Sequence, residues 1–161
     1  MKKDLLIIGG LFTFIIVLLV VGSYLNIFLG NLAPQAAAST QVRINSLVIA
    51  AEVAKTTQTR SQGLSKRESL APNTGMLFVF EKVDRYNFWM KDVKFPIDII
   101  WIGQDKRIAD ITHSAQLEPG VPDNLLRIYQ PAVSVLYVLE VAEGTAAFNN
   151  LRIGDLAEFS L

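Results

Sequence analysis

Two kinds of hydrophobic pattern divide this chain. From Leu5 to Leu29 no charge occurs, and the polar residues are few: Thr13, Ser23, Tyr24 and Asn26 stand out. A helix of about 20 apolar residues, rising 1.5 Å each, crosses a hydrocarbon core of roughly 30 Å. This run is somewhat longer and could span with tilt. Beyond it the apolar residues come in short blocks separated by turn residues. "VRINSLVIAAEVA" (Val42 to Ala54) predicts two strands around a turn at Asn45-Ser46. "TTQTRSQGLSKRESL" (Thr56 to Leu70) predicts a short helix ending near Gly63, then a loop. "GMLFVF" and "NFWMKDV" read as strands, the second ended by Pro96. "IDIIWIGQDKRIADI" reads as a hairpin turning at "GQDK". "LEPGVPDN" is a loop, "AVSVLYVLEV" a strand, and "GTAAFNNLRIGD" a short helical piece with Thr145 as its N-cap. A last strand, "LAEF", follows the turn at Gly154-Asp155.

Strands far outnumber helices. The expected fold is a mostly β (α+β) domain, a small β-barrel-like unit with one or two short helices, preceded by one transmembrane helix. The expected organisation is a cytoplasmic N-terminus over residues 1–4, a signal-anchor helix over 5–29, a linker over 30–40 and the domain proper over 41–161.

Charge gives this layout a direction. Lys2 and Lys3 precede the apolar run, and no Lys or Arg follows until Arg43. The positive-inside rule then places the N-terminus in the cytoplasm and the rest outside. The alternative is a signal peptide cleaved near Ala36-Ala37-Ala38, which leaves a secreted or periplasmic domain. The run exceeds the roughly 7–15 residues of a signal h-region, which favours the anchor. Without Lys2, Lys3 and Asp4 the chain keeps 13 Lys and Arg against 14 Asp and Glu. That balance offers no basic footprint, so no nucleic-acid partner is expected. The absence of cysteine removes disulfides, thiolate nucleophiles and thiolate metal sites. One histidine, His113, cannot build a zinc or copper cage, so no metal and no cofactor are expected. Glu118 and Asp123 lack EF-hand spacing.

The stretch "NFWMKDVKFPIDIIWI" (Asn87 to Ile102) carries the candidate chemistry. Alternation puts Ile97, Ile99 and Trp101 on one face and Asp98, Ile100 and Ile102 on the other. That strand is expected to be buried on both sides, with Asp98 among isoleucines, where a carboxylate must be paired or hydrogen-bonded. Read as a strand, "FWMKDV" sends Trp89 and Lys91 to one face and Met90 and Asp92 to the other. Asp98 and Lys91 are then expected to meet at a barrel mouth flanked by Trp89 and Met90, with Asp92 and Lys94 facing water. A cleft of this kind suits a small polar ligand. A structural alternative lets Asp98 accept backbone N–H groups and Lys91 snorkel at a rim. Glu140 ends an apolar strand and serves either chemistry or the bend that follows. Arg60 and Arg67 could fork onto an anion or pair with Glu68 and Asp84. Gly75, Gly144 and Gly154 lie at element boundaries and are expected to need positive φ.

"TRSQGLSKRESL", "GMLFVF", "NFWMKDVKFPIDIIWI", "VLEVAEGTAA" and "LRIGD" occur in this order. Together they resemble the domain of unknown function 192 family, a group of small, mostly β domains, over roughly Val42 to Phe159. The resemblance implies weight on Arg60, Gly63, Leu64, Arg67, Gly75, Met76, Phe78, Trp89, Met90, Lys91, Pro96, Asp98, Glu140, Gly144, Gly154 and Asp155. Ser65, Asp92 and Val93 depart from the family pattern. The resulting ligand-binding candidates are Arg60, Met76, Trp89, Met90, Lys91, Asp98 and Glu140. No activity comes with the family. A monomeric, membrane-tethered binding domain is the expectation. An acid–base or hydrolytic enzyme using Asp98, Lys91 and Glu140 is one alternative, and a structural envelope domain is another.

The uncharged run predicts that the N-terminal segment is retained. Membrane fractionation with N-terminal sequencing should find the intact chain in the membrane fraction. A soluble chain starting at Ser39 would show cleavage instead.

Overall fold

A computed structural model of the protein describes residues 16–25 and 38–161. The chain divides into two units, Met1–Ala36 and Ala37–Leu161. In the first, residues 16–25 are helical (α1) with exposed side chains. Among the described residues no helix is long and apolar enough to cross a membrane. Most of the expected 5–29 span and of the 30–40 linker lies outside the described residues.

The second unit begins slightly earlier than its predicted start at Gln41. Its elements are β1 (Ser39–Ile44), β2 (Leu47–Ala54), α2 (Thr57–Gln62), β3 (Thr74–Asp84), β4 (Ile97–Ile102), β5 (Ile108–Ala115), a 3-10 turn at Asp123–Leu125, β6 (Val135–Ala142), α3 (Thr145–Phe148) and β7 (Ala157–Glu158). All seven strands form one curled sheet in the order β5-β4-β6-β3-β2-β1-β7. Neighbours are antiparallel except β2 and β3, which are parallel. A parallel pair needs a crossover, and α2 with the loop after it supplies one.

The sheet curls until its ends touch. Arg107 bridges to Leu156, and the Ala157 and Ile108 N–H groups donate to Lys106 O (2.8 Å) and Asp155 O (2.9 Å). The contact covers only one end, so the result is a half-barrel. One core lies inside it and takes residues from every strand, among them Ile44, Ile49, Leu77, Ile100, Ile108, Leu139 and Ala157. Ala146 of α3 joins this core. A second core lies on the other face of β2 to β6. It contains Met76, Phe78, Ile99, Trp101 and Val138, covered by Leu64, Phe88, Met90 and Tyr129 from outside the strands.

The sequence reading of β4 holds. All six of its residues are buried, with Ile100 and Ile102 in the inner core and Ile97, Ile99 and Trp101 in the outer. The β1–β2 turn at Asn45-Ser46, the β4–β5 hairpin and the α2 helix also form where predicted. In α2, Thr56 and Thr59 form a reciprocal capping box, and Gly63 at φ 49° ends the helix.

"NFWMKDV" is not a strand. Between Asp84 and Ile97 its only ladder contact among the described residues is a bridge from Phe88 to Tyr129, with N–H···O distances of 2.9 and 2.8 Å. The nearby strands already have partners on both sides: β3 pairs β2 and β6, and β4 pairs β5 and β6. The segment therefore runs over the outer core, and Asp92 turns it at φ 56°. Phe88 and Met90 point into that core while Trp89 is 48% exposed.

Asp98 and Lys91 do not share a mouth. Asp98 is 1% exposed, and its carboxylate accepts the N–H groups of Ser114 and Ala146, each at 2.9 Å. Ser114 sits at φ 53°, where β5 carries one residue more than β4 between Ile97 and Ile99. Asp98 thus clamps a bulge and the first turn of α3, as the structural alternative for this residue has it. Lys91 instead pairs with Asp123. Arg67 pairs with Glu52, and Glu68 with Lys94. Two smaller expectations also change. The α3 N-cap is Gly144, at φ 80°, rather than Thr145. Gly75 has no positive φ. A Cβ there would meet Glu140 O at 2.6 Å and Ile49 Cγ2 at 3.1 Å, so close strand approach demands the glycine.

Asp98→Ala leaves two N–H groups without an acceptor and should cost about 2–4 kcal/mol. Asp92→Gly, at an exposed left-handed position, should stay within about 0.5 kcal/mol of wild type. Denaturant unfolding of both variants checks this, and equal losses would show that the Asp98 clamp carries little.

Candidate functional site

Strand register sets the floor of the site. On the outer face, Glu52 of β2, Met76 of β3, Glu140 of β6 and Ile99 of β4 lie in one cross-strand row. Directly opposed residues share a face. In "VLYVLEVA", Leu139 and Val141 therefore enter the inner core while Glu140 follows Val138 to the outer one.

The two carboxyl groups of this row meet opposite environments. Glu52 accepts a bidentate pair from Arg67 at 2.8 and 2.7 Å. That hydrogen bonding, followed by the guanidinium charge, holds its pKa below the usual carboxylate value against partial burial. Glu140 is 6% exposed, and no hydrogen bond or charge among the described residues offsets its loss of water. Burial alone pushes its pKa up to about 8. Among the described residues no buried side-chain oxygen is sealed off without a partner, so the Glu140 carboxyl opens onto free space.

That space is a cavity of about 180 Å³. Phe78 and Phe80 line it from β3, Gly63 and Leu64 from the end of α2, and Tyr86, Phe88, Trp89 and Lys91 from the covering loop. The aromatic rings are braced against one another. Phe88 meets Phe78 and Trp101 edge-on at centroid distances of 5.0 and 5.3 Å, and Tyr86 stacks on Phe80 at 3.5 Å. Trp101 is fixed by its Nε1–H to Thr112 Oγ1 at 3.0 Å. Arg60 closes one side. Its Nη1 donates to Lys55 O and Val79 O at 2.8 and 2.9 Å, lies 3.6 Å from Glu81, and the guanidinium sits 5.2 Å above Phe80.

The structure brings together part of the predicted set. Glu140, Arg60, Trp89 and Lys91 line the cavity, and Met76 is next to Glu140 in the row. Met90 is buried in the outer core. Lys91 is held by Asp123, whose hydrogen bond and charge raise its pKa. Asp98 is on the opposite side of the sheet, since its register partner is Val141 and that of Glu140 is Ile99. The sequence reading left Phe78, Phe80, Tyr86 and Phe88 out of the candidate site. The signal was present in "MLFVF", where Met76, Phe78 and Phe80 alternate onto one face.

The fold and site define a small, mostly β domain with an aromatic cleft over a buried acid. The chain belongs to the DUF192 family, described as "Uncharacterized ACR", which it matches over residues 40–159. Two solved structures are similar. One is a candidate transcription regulator from Sinorhizobium meliloti 1021, 29% identical, with a TM-score of 0.70 over 79% of this chain and 98% of that one. The other is a protein of unknown function from Novosphingobium aromaticivorans DSM 12444, 31% identical, with a TM-score of 0.65 over 76% of this chain and 84% of that one. No curated protein matches the chain.

Glu140 makes stability depend on pH with a definite sign. With its pKa raised in the folded state, that state binds more protons than the unfolded chain between about pH 4.5 and 8. Its contribution is full below that window and is lost as pH rises through it, by about 4–5 kcal/mol at 1.36 per unit. Glu140→Gln should flatten this loss, read as the difference between the two unfolding curves from pH 4 to 9. Parallel curves would show that Glu140 titrates normally.

Proposed function

We propose that this protein is a membrane-tethered, extracytoplasmic domain that binds a small polar ligand, such as a carbohydrate or peptide of the cell envelope. The ligand sits in the aromatic cleft over Glu140. The observation that carries this reading is a carboxyl group that is buried without a partner among the described residues and lines an aromatic-walled cavity. A few polar groups in an otherwise apolar concavity are what small-ligand sites are made of. The uncharged run from Leu5 to Leu29, with Lys2 and Lys3 before it, supports the tether and its direction.

Binding suits the geometry better than acid–base catalysis. The enzyme alternative needs Asp98, Lys91 and Glu140 in one place, and Asp98 faces the inner core with both oxygens engaged by backbone N–H groups. The charge balance of the domain also fits poorly with the regulator role suggested for the Sinorhizobium meliloti relative.

Trp89 reports on the cleft. Full-length protein in nanodiscs should change its Trp emission saturably when titrated with N-acetylglucosamine or with N-acetyl-alanyl-alanine. Trp89→Phe should remove most of the signal and leave the buried Trp101 as an unresponsive reference. Emission that stays constant up to tens of millimolar of both compounds would argue against a ligand cleft.

A further inference from the structure

Resting on that reading, we propose that the group reaching Glu140 is a primary ammonium, carried by an amino sugar or by the amino terminus of a short peptide. The ammonium nitrogen donates to the Glu140 carboxylate while its carrier packs on the rings of Phe78, Phe80 and Phe88.

The strongest reason is that, among the described residues, no side chain lining the cavity donates to Glu140, and the charged groups there are turned to other partners. Arg60 donates through Nη1 to Lys55 O and Val79 O, and that nitrogen lies 3.6 Å from Glu81. The Tyr86 hydroxyl donates to Lys82 O at 2.6 Å, and Lys91 is paired with Asp123. Glu52, the other acid of the row, is saturated by Arg67 and separated from Glu140 by Met76. From β4 the facing residue is Ile99, which does not titrate. Glu140 thus faces a cavity and accepts no hydrogen bond among the described residues. The two rim cations oppose a cationic guest weakly, since each already lies beside an acidic side chain.

The exchange balances simply. Glu140 releases its proton to solvent, the guest keeps its own, and a charge-assisted hydrogen bond replaces the neutral carboxyl. Since burial holds the empty carboxyl protonated up to about pH 8, binding at lower pH must release close to one proton. A neutral guest that accepts a bond from the protonated acid would release none. The two readings therefore differ in a measurable sign.

Isothermal titration of the full-length protein in nanodiscs separates them. Glucosamine is compared with N-acetylglucosamine, and alanyl-alanine with N-acetyl-alanyl-alanine, at pH 6.0 and 7.0 in buffers of different ionisation heat. The amine of at least one pair should bind tighter than its acetylated partner. Its association constant should rise about tenfold over that pH unit, with about one proton released. Glucosamine alone responding assigns an amino sugar, and the dipeptide alone assigns a peptide amino terminus. Glu140→Gln, checked for folding by near-UV circular dichroism, should weaken the amine at least tenfold and remove its pH slope. The acetylated compounds should change less than about twofold. Acetylated compounds that bind as well as both amines, or amine affinity that is flat with pH, would overturn the ammonium while leaving the cleft a ligand site. Silence from all four compounds would overturn both.

Discussion

One carboxylate coordinates much of this fold. Asp98 sits in the strand with the deepest burial and accepts one N–H from the β5 bulge and one from the start of α3. A buried carboxylate without donors is expensive, so the bulge and the helix start must stay where they supply them. The β5 edge and the inner plug at Ala146 are thereby tied to β4. Because β4 pairs with β6 through six registered residues, the same tie fixes which face Glu140 takes. A slip of one residue would exchange the two faces of β6 and send Glu140 into the inner core.

Much of this was legible in the sequence, because period-2 patterns report faces directly. "IDIIWI" announced a strand buried on both sides, and "INSL" announced the turn between β1 and β2. The structural alternative for Asp98 was also within reach from the apolar company it keeps. What failed was "NFWMKDV", whose composition is that of a strand. Strand formation requires a free edge, and no local pattern reveals that β3 and β4 are already paired on both sides. The error carried into the site, since the supposed alternation placed Lys91 beside Asp98. Tertiary pairing therefore decided both the loop and the loss of that cluster.

The sheet handles its two deeply buried acids, Asp98 and Glu140, in contrasting ways although they lie on neighbouring strands. Asp98 receives fixed dipoles and serves architecture. Glu140 receives only a cavity and braced rings, a state that lowers stability at neutral pH and is retained next to open volume. Its row partner Glu52 shows what the same face does when an arginine is supplied. The difference between structural and available carboxyl groups here is one of donor supply rather than depth.

The placement of β7 has a consequence for how the domain is made. The first strand of the barrel pairs with the last, and Thr40 donates to Ser160 O across nearly the whole domain at 2.7 Å. Loop-closure entropy must be met before such distant contacts reward it. Residues 155–157 also form the seam with β5, so the curl cannot be completed without the segment that carries β7. The half-barrel therefore curls closed only once β7 is in place. Until then β1 presents an unpaired edge, and β7 is the strand that covers it.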